Sequence, residues 1–193
     1  MIMDGLGSNC TEDKELVSTW SKLVPLKVSV LAWRLWQNRI PTKDSLIKRG
    51  ILEESQSFCP YFCGKEESEE HIFFECLIAL VTWSEIIRWL NFSYVSHNSA
   101  MWSFLHFAGL CSGDIVMKER FSVIWFGYIW TMWRRGNEEN FKSSEGHTEG
   151  NSVSYLEDIQ LTSWKWLKSK VIGFNHALIQ WNLNPKECLG WRS

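Results

Sequence analysis

Apolar residues recur at helical spacing along most of this chain. Val28, Leu31, Ala32 and Leu35 fall on one stripe of a segment running from residue 25 to about 39. Pro25 suits its first turn and Pro41 interrupts the pattern beyond its end. Thr42 is then the expected N-cap of a short helix ending at Gly50, with residues 51–58 as a loop. From Ser68 onward Ile72, Phe73, Cys76, Leu80, Trp83, Ile87 and Leu90 repeat every three or four positions, a strongly helical pattern. A further amphipathic stretch covers about 99–110. Asp114 is predicted to cap a long helix through Trp133, closed by Gly136 and Asn137. Ser154 and Glu157 form a capping box for a last helix through Leu156, Ile159, Trp166 and Leu167, which Gly173 ends. Trp181, Pro185 and Leu189 of the tail are expected to dock on the body. Clear hairpin signals and internal repeats are lacking, so the predicted fold is mostly α.

Thirteen tryptophans in 193 residues change this picture from ordinary to aromatic. Large rings bury much area each, so a core of aromatic wedges is the first reading and a base-stacking surface the second. The most apolar run, 121–133, is shorter than the roughly 20 residues a spanning helix needs, so it reads as a buried helix and not a membrane segment. Residues 1–14 are polar and acidic, unlike a signal peptide. Six cysteines without a secretory signal point to reduced thiols or metal ligands in an intracellular protein, nuclear or cytoplasmic, that is not secreted.

The net charge of −2 announces no polyanionic partner, but its distribution is uneven. Residues 20–50 hold Lys22, Lys27, Arg34, Arg39, Lys43, Lys48 and Arg49 against only Asp44, a local +6. Residues 53–75 hold seven glutamates against only Lys65, a local −6. Two solvated faces that attract one another would explain this, and the acidic run 66–70 is expected to be solvated.

The strongest chemical signal is CPYFC at 59–63, followed after seven residues by HIFFEC at 71–76. Cys59, Cys63, His71 and Cys76 supply the thiolates and imidazole that a tetrahedral structural zinc takes. Gly64 allows the tight turn after the second cysteine. His71 and Cys76 lie five apart, about 140° round an ideal helix, so both reach one ion only if the helix begins irregularly. The competing reading makes Cys76 an ordinary buried thiol and His71 a surface residue of a first turn. With four protein ligands, no position is left for a catalytic water. Cys10, Cys111 and Cys188, and the other histidines, show no spacing signal.

These residues resemble a known family. The run from Trp20 through VPLKVSVLAWRLWQNRIPTKDSLIKRGI to CPYFCGKEESEEHIFFEC is similar to the zinc-binding reverse-transcriptase domain that follows the polymerase of plant LINE-type non-LTR retrotransposons. The likeness is carried by Pro25 and Lys27, Ala32-Trp33-Arg34, Arg39 with Pro41-Thr42, Arg49-Gly50, Glu67-Ser68, the cysteine–histidine segment and Trp83. It continues into IWFGYIWTMWRRGNEENF and the C-terminal QWNLNPKECLG. Two departures stand out: three residues between the first cysteines where two are usual, and Gly136 where the family has Arg.

The resemblance implies a small helical domain around a Cys3His knuckle with one zinc ion, followed by long Trp-rich helices. The expected organisation is a disordered 1–15, the zinc-binding domain at 16–92, a Trp-rich extension at 93–137, a linker at 138–153, and a C-terminal helix and tail at 154–193. It also implies a non-catalytic module, since no polymerase, endonuclease or ribonuclease H residues and no small-molecule site are evident. RNA or DNA is the expected partner, through Lys27, Arg34, Arg39, Lys43, Lys48 and Arg49, of which Arg34, Arg39, Lys43, Lys48 and Arg49 are expected to line one positive face, with the rings of Trp33 and Trp36 turned inside. The alternatives are a docking module for the missing polymerase part, or a non-functional retrotransposon fragment.

Overall fold

The computed structural model describes residues 21–141 and 154–191. The expected disordered start, most of the linker, Trp20, Cys10 and His147 lie outside the described residues. The described residues are mostly helical, in the order α1 (Leu26–Trp36), α2 (Lys43–Lys48), a 3-10 turn (Glu54–Gln56), a π turn (His71–Glu75), α3 (Leu77–Trp89), α4 (Ala100–Gly109), α5 (Ile115–Phe141), α6 (Tyr155–Lys170), α7 (Leu178–Leu183) and α8 (Pro185–Cys188). Between the 3-10 and π turns lies a single antiparallel bridge, Phe58 with Glu66.

Helix α5 is the axis of the fold. Phe121, Val123, Ile124, Trp125, Phe126, Tyr128 and Ile129 are all buried, so this stretch is apolar all round and must be covered on every side. Helices α1, α4 and α6 and the π turn pack round it. Asp114 caps it as expected, its Oδ1 accepting from the N–H of Met117 at 2.8 Å. Gly136 and Asn137 do not end it: the helix runs on to Phe141, so the linker begins later than residue 138. A Cβ at Gly136 would meet the Tyr61 hydroxyl at 3.4 Å and the Pro60 ring at 3.5 Å, so the cysteine loop rests on this bare turn of helix. Arg134 and Arg135 both reach Asp158 of α6, at 2.8 and 2.7 Å.

The tryptophans are mostly wedges, and the N–H groups of Trp89, Trp125, Trp164 and Trp181 find carbonyl or hydroxyl partners, whereas the buried N–H of Trp36 has none among the described residues. Trp181 donates to the Gln160 carbonyl at 3.0 Å, Trp164 to that of His176 at 2.9 Å, Trp89 to that of Asn182 at 2.9 Å, and Trp125 to the Ser103 hydroxyl at 3.2 Å. Such bonds let an amphipathic ring enter a core without stranding its polar end. Trp36 lies inside, stacked 5.9 Å from Trp125 and edge-on to Phe104 at 5.3 Å. Trp33 departs from expectation: it faces outward, 39% exposed. Trp181, Pro185 and Leu189 are buried, and the tail docks through two short helices that the periodicity does not reveal.

Helices α1, α2, α3 and α8 close with the same device, a left-handed residue followed by a chain reversal. At α1 Asn38 has φ +49°, the N–H of Arg39 returns to the Arg34 carbonyl at 2.8 Å, and that of Asn38 to the Leu35 carbonyl at 3.2 Å. This is the Schellman geometry, which consumes orphan carbonyls and lays the residue after the turn back over the helix's last turn. Gly50, Asn91 and Gly190 do the same at the other three, with Ile51, Phe92 and Trp191 returning to Leu46, Ile87 and Lys186. Among the described residues no helix is long and apolar enough to cross a membrane.

Candidate metal centre and arginine cleft

The cysteine loop is a small knuckle. The N–H of Cys59 donates to the Lys65 carbonyl at 2.8 Å, that of Glu67 to Ser57 at 2.8 Å, and that of Phe62 to Cys59 at 3.1 Å. Gly64 takes φ +80°, as its position required, and Phe62 takes the unusual +55°. The second half is a π turn, an irregular start to the helical stretch expected from residue 68. The Cys76 N–H reaches the His71 carbonyl, five residues back, at 2.7 Å, and Cys76 itself is extended at φ −62°, ψ 139°. The wider turn and the break at Cys76 remove the angular mismatch that an ideal helix would impose between His71 and Cys76.

One ligand atom each from Cys59, Cys63, His71 and Cys76 falls within 4.8 Å of every other. Cys59 Sγ is 3.9 Å from Cys76 Sγ, and Cys63 Sγ is 3.1 Å from His71 Nε2. With bonds of about 2.3 Å to sulfur and 2.0 Å to nitrogen, a tetrahedral zinc has ligand–ligand edges of about 3.5–3.8 Å. The donor set and the spacing therefore fit such an ion. Burial raises the thiols of Cys59 and Cys76 above their ordinary value. At Cys63 burial also raises the thiol, but the Lys65 N–H and the neighbouring cysteines together bring it below the ordinary value. Burial lowers His71, which keeps its imidazole neutral and able to ligate.

Two tyrosine hydroxyls fasten this centre to α5. Tyr61, inside the cysteine loop, donates to the Met132 carbonyl at 2.6 Å, and Tyr128 donates to the Phe73 carbonyl in the π turn at 2.5 Å. Two glutamates fasten it to the basic segment, and they correct the expectation of a solvated acidic run. Glu67 and Glu69 are buried. Glu69 accepts the Ile40 N–H at 2.5 Å, and Glu67 accepts the Lys43 N–H at 3.1 Å, with Lys43 Nζ 3.8 Å away. The chain between α1 and α2 is thus pinned by carboxylates carried on the knuckle. Sequence offered a signal in the two intervals, Arg39-x-Pro41-Thr42 and Glu67-Ser68, but not that they face each other.

The six basic residues are engaged in different ways. Lys27 Nζ sits over the Trp130 ring, 4.5 Å from its centroid. Lys43 donates to the Phe58 carbonyl at 2.6 Å, and Lys48 pairs with Asp44 at 3.1 Å. Arg34, Arg39 and Arg49 are different: with Trp33 and Pro41 they line one open cleft of about 380 Å³. Among the described residues no carboxylate lies within ion-pair distance of these three guanidiniums. Elsewhere, His97 and His106, to which the sequence assigns no partner, hydrogen-bond to each other at 2.7 Å, while Cys111 and Cys188 are buried apart from the cluster.

The family model described as zinc-binding in reverse transcriptase matches residues 5–83. The match ends within α3, so α4 to α8 lie beyond it. Over 79 residues the chain is 34% identical to the Transposon TX1 uncharacterized 149 kDa protein of Xenopus laevis, an alignment covering 38% of this chain and 6% of that protein. The chain therefore spans only a small part of the length of the curated relative it matches. No solved structure matches it.

Proposed function

We propose that this chain is a non-catalytic module in which one zinc ion, ligated by Cys59, Cys63, His71 and Cys76, holds a nucleic-acid-binding surface in shape. The observation that carries the binding role is the convergence of Arg34, Arg39 and Arg49 on one cleft without carboxylate partners among the described residues. Guanidiniums left unpaired and exposed are suited to phosphate, which they hold through forked hydrogen bonds. Zinc, when bound, acts here as a structural cross-link; its four protein ligands leave no open position for a water nucleophile. The protein's own residues transmit that order. The knuckle carries Glu67 and Glu69, these hold the backbone at Lys43 and Ile40, and Arg39 and Arg49 flank that segment.

Binding to a labelled 20-nucleotide RNA or DNA strand across a salt series tests this reading. Three phosphate contacts predict a slope of log affinity on log salt of about −2 for a single strand. Arg39→Glu with Arg49→Glu should abolish most of the binding and flatten the slope while zinc content stays at one per chain. A second reading has its own observation: Leu77, Leu80 and Val81 are exposed together along α3. A face of that kind suits docking against the polymerase part of a longer transposon protein. Absence of salt-sensitive binding at low salt would leave that docking role as the function.

A further inference from the structure

The end of α1 brings two arginines together where a Schellman turn ordinarily places an apolar contact. At the corresponding positions α2 has Leu46 with Ile51, α3 has Ile87 with Phe92, and α8 has Lys186 lying over the Trp191 ring at 5.7 Å. Helix α1 has Arg34 with Arg39, joined by the 2.8 Å backbone bond. The turn is just as well formed as the others, so the arginine pair is not a consequence of a poor helix end. Like charges at neighbouring positions repel, and no described carboxylate relieves them. Arg49 adds a third positive group to the same cleft.

Beside this pair stands a flat ring that the core does not claim. Trp33 precedes Arg34 and lines the cleft, whereas Trp36, one turn on, is packed between Phe104 and Trp125. Pro41 contributes a second apolar surface. The volume of about 380 Å³ lies at the small end of the range for ligand clefts, roughly 300–1,000 Å³, and suits a single nucleotide. A ligand that satisfies all of these groups needs an anion and an accessible planar face close together. In a duplex the base faces are covered by their neighbours, so only the phosphates would be matched.

Resting on the nucleic-acid reading above, we propose that the cleft seats one unpaired nucleotide of a single strand, its phosphate shared by Arg34 and Arg39 and its base stacked on Trp33. The cleft is thereby selective for single strands over duplexes. Its preference for RNA or DNA would show in parallel arms, since contacts to a 2′-hydroxyl favour RNA.

The experiment measures binding of the zinc-loaded full chain to a labelled 12-nucleotide strand, RNA or DNA, and to the same strand annealed to its complement. Wild type should favour the single strand by about tenfold or more. Trp33→Leu should lower single-strand affinity about tenfold and leave duplex affinity unchanged, because it removes the ring face and keeps an apolar side chain. Trp33→Tyr should retain most of the affinity, and melting curves would show that both variants fold. Equal affinity for both forms in the wild type would overturn the stacking site while leaving the electrostatic reading intact. An equal loss for both forms on Trp33→Leu would also overturn it. Failure to bind either form at low salt would sink the underlying nucleic-acid reading itself.

Discussion

The knuckle and the helices that follow it are held together by different means. Between residues 42 and 76 the longest helix, α2, has six residues, and Phe73 is the only aromatic side chain there that is fully buried. Order comes instead from directed bonds: the four converging ligands, the Glu67 and Glu69 acceptors, and the two tyrosine hydroxyls. From α4 onward Phe107, Phe121, Trp125, Phe126, Tyr128 and Trp181 are fully buried; Phe107 stacks on Phe121, Trp125 meets Phe126 edge-on, and Tyr128 and Trp181 meet Trp83 and Trp89 edge-on. Apolar burial is non-directional and scales with area, so that half can rest on its rings. The knuckle has too little area for this, and small segments of that kind draw folding free energy from a metal.

Removing the metal should therefore separate the two halves, and this is the largest effect expected. Chelation, or Cys63→Ser, should strip amide protection at Cys59, Glu67, Ile72 and Cys76 by about 100-fold or more, as local folding is lost. Protection at the buried middle of α5 should change far less. Hydrogen exchange with residue resolution reads both at once. Uniform loss across the chain would mean that the halves fold as one unit and the contrast is false.

The reverse perturbation starts from the rings. Trp181→Ala removes a fully buried side chain and the donor to the Gln160 carbonyl, and should cost about 3–5 kcal/mol in chemical denaturation. The folded fraction should still bind one zinc per chain. A cost under about 1 kcal/mol would show that the tail docks without contributing to the core.

How much of this was legible in the sequence depends on which kind of bond was at stake. The ring-filled half was legible because periodicity reports burial: α4, the start of α5, and the Ser154–Glu157 capping box of α6 lie where the pattern put them. Its errors were of context. Gly136 signals a stop in isolation, yet α5 continues past it, and Tyr61 and Pro60 pack on that glycine. The four candidate ligands that converge could be read from donor type and spacing, and the need for an irregular helix start from the His71–Cys76 interval, but not that the start is a π turn. That turn is a local departure from 3.6 periodicity, and Ile72, Phe73 and Cys76 fit a regular helix equally well. The buried glutamates were missed because charge runs are ordinarily solvated, and only the fold shows Ile40 and Lys43 facing them. Trp33 and Trp36 were indistinguishable by residue type, though three residues apart on one helix they face different surroundings.

The joint between the halves offers a smaller and sharper test. Tyr61→Phe keeps the ring beside Tyr155 and removes the bond to the Met132 carbonyl, which should cost about 1 kcal/mol. If that bond couples knuckle to helix, zinc affinity should fall about fivefold in competition with a chelator, the same free energy seen from the metal's side. Unchanged affinity alongside lowered stability would confine the bond's role to α5.

The smallest expected effect tests whether the knuckle alone answers to pH. Among the described residues the buried carboxylates are Glu67 and Glu69, both in the knuckle. Burial raises Glu69 most, the Ile40 N–H opposes it, and Glu70 and Asp44 add to the rise, leaving it pushed up to about 7. In the unfolded chain a glutamate titrates near about 4.3. Below both values Glu69 is protonated in either state and contributes no pH dependence. Between them the folded chain retains a proton that the unfolded chain has released, so raising the pH through this window draws against folding. Above about 7 the penalty is complete and constant. Glu69→Gln keeps an oxygen for the Ile40 N–H and cannot ionise. Its melting temperature, measured with zinc present, should gain on wild type as pH rises from 6 to 8, by on the order of 3 °C. Taking the difference between the two proteins cancels the separate acid lability of the metal site. A difference that stays flat across that range would mean the Ile40 bond holds Glu69 ionised throughout, with burial the weaker influence.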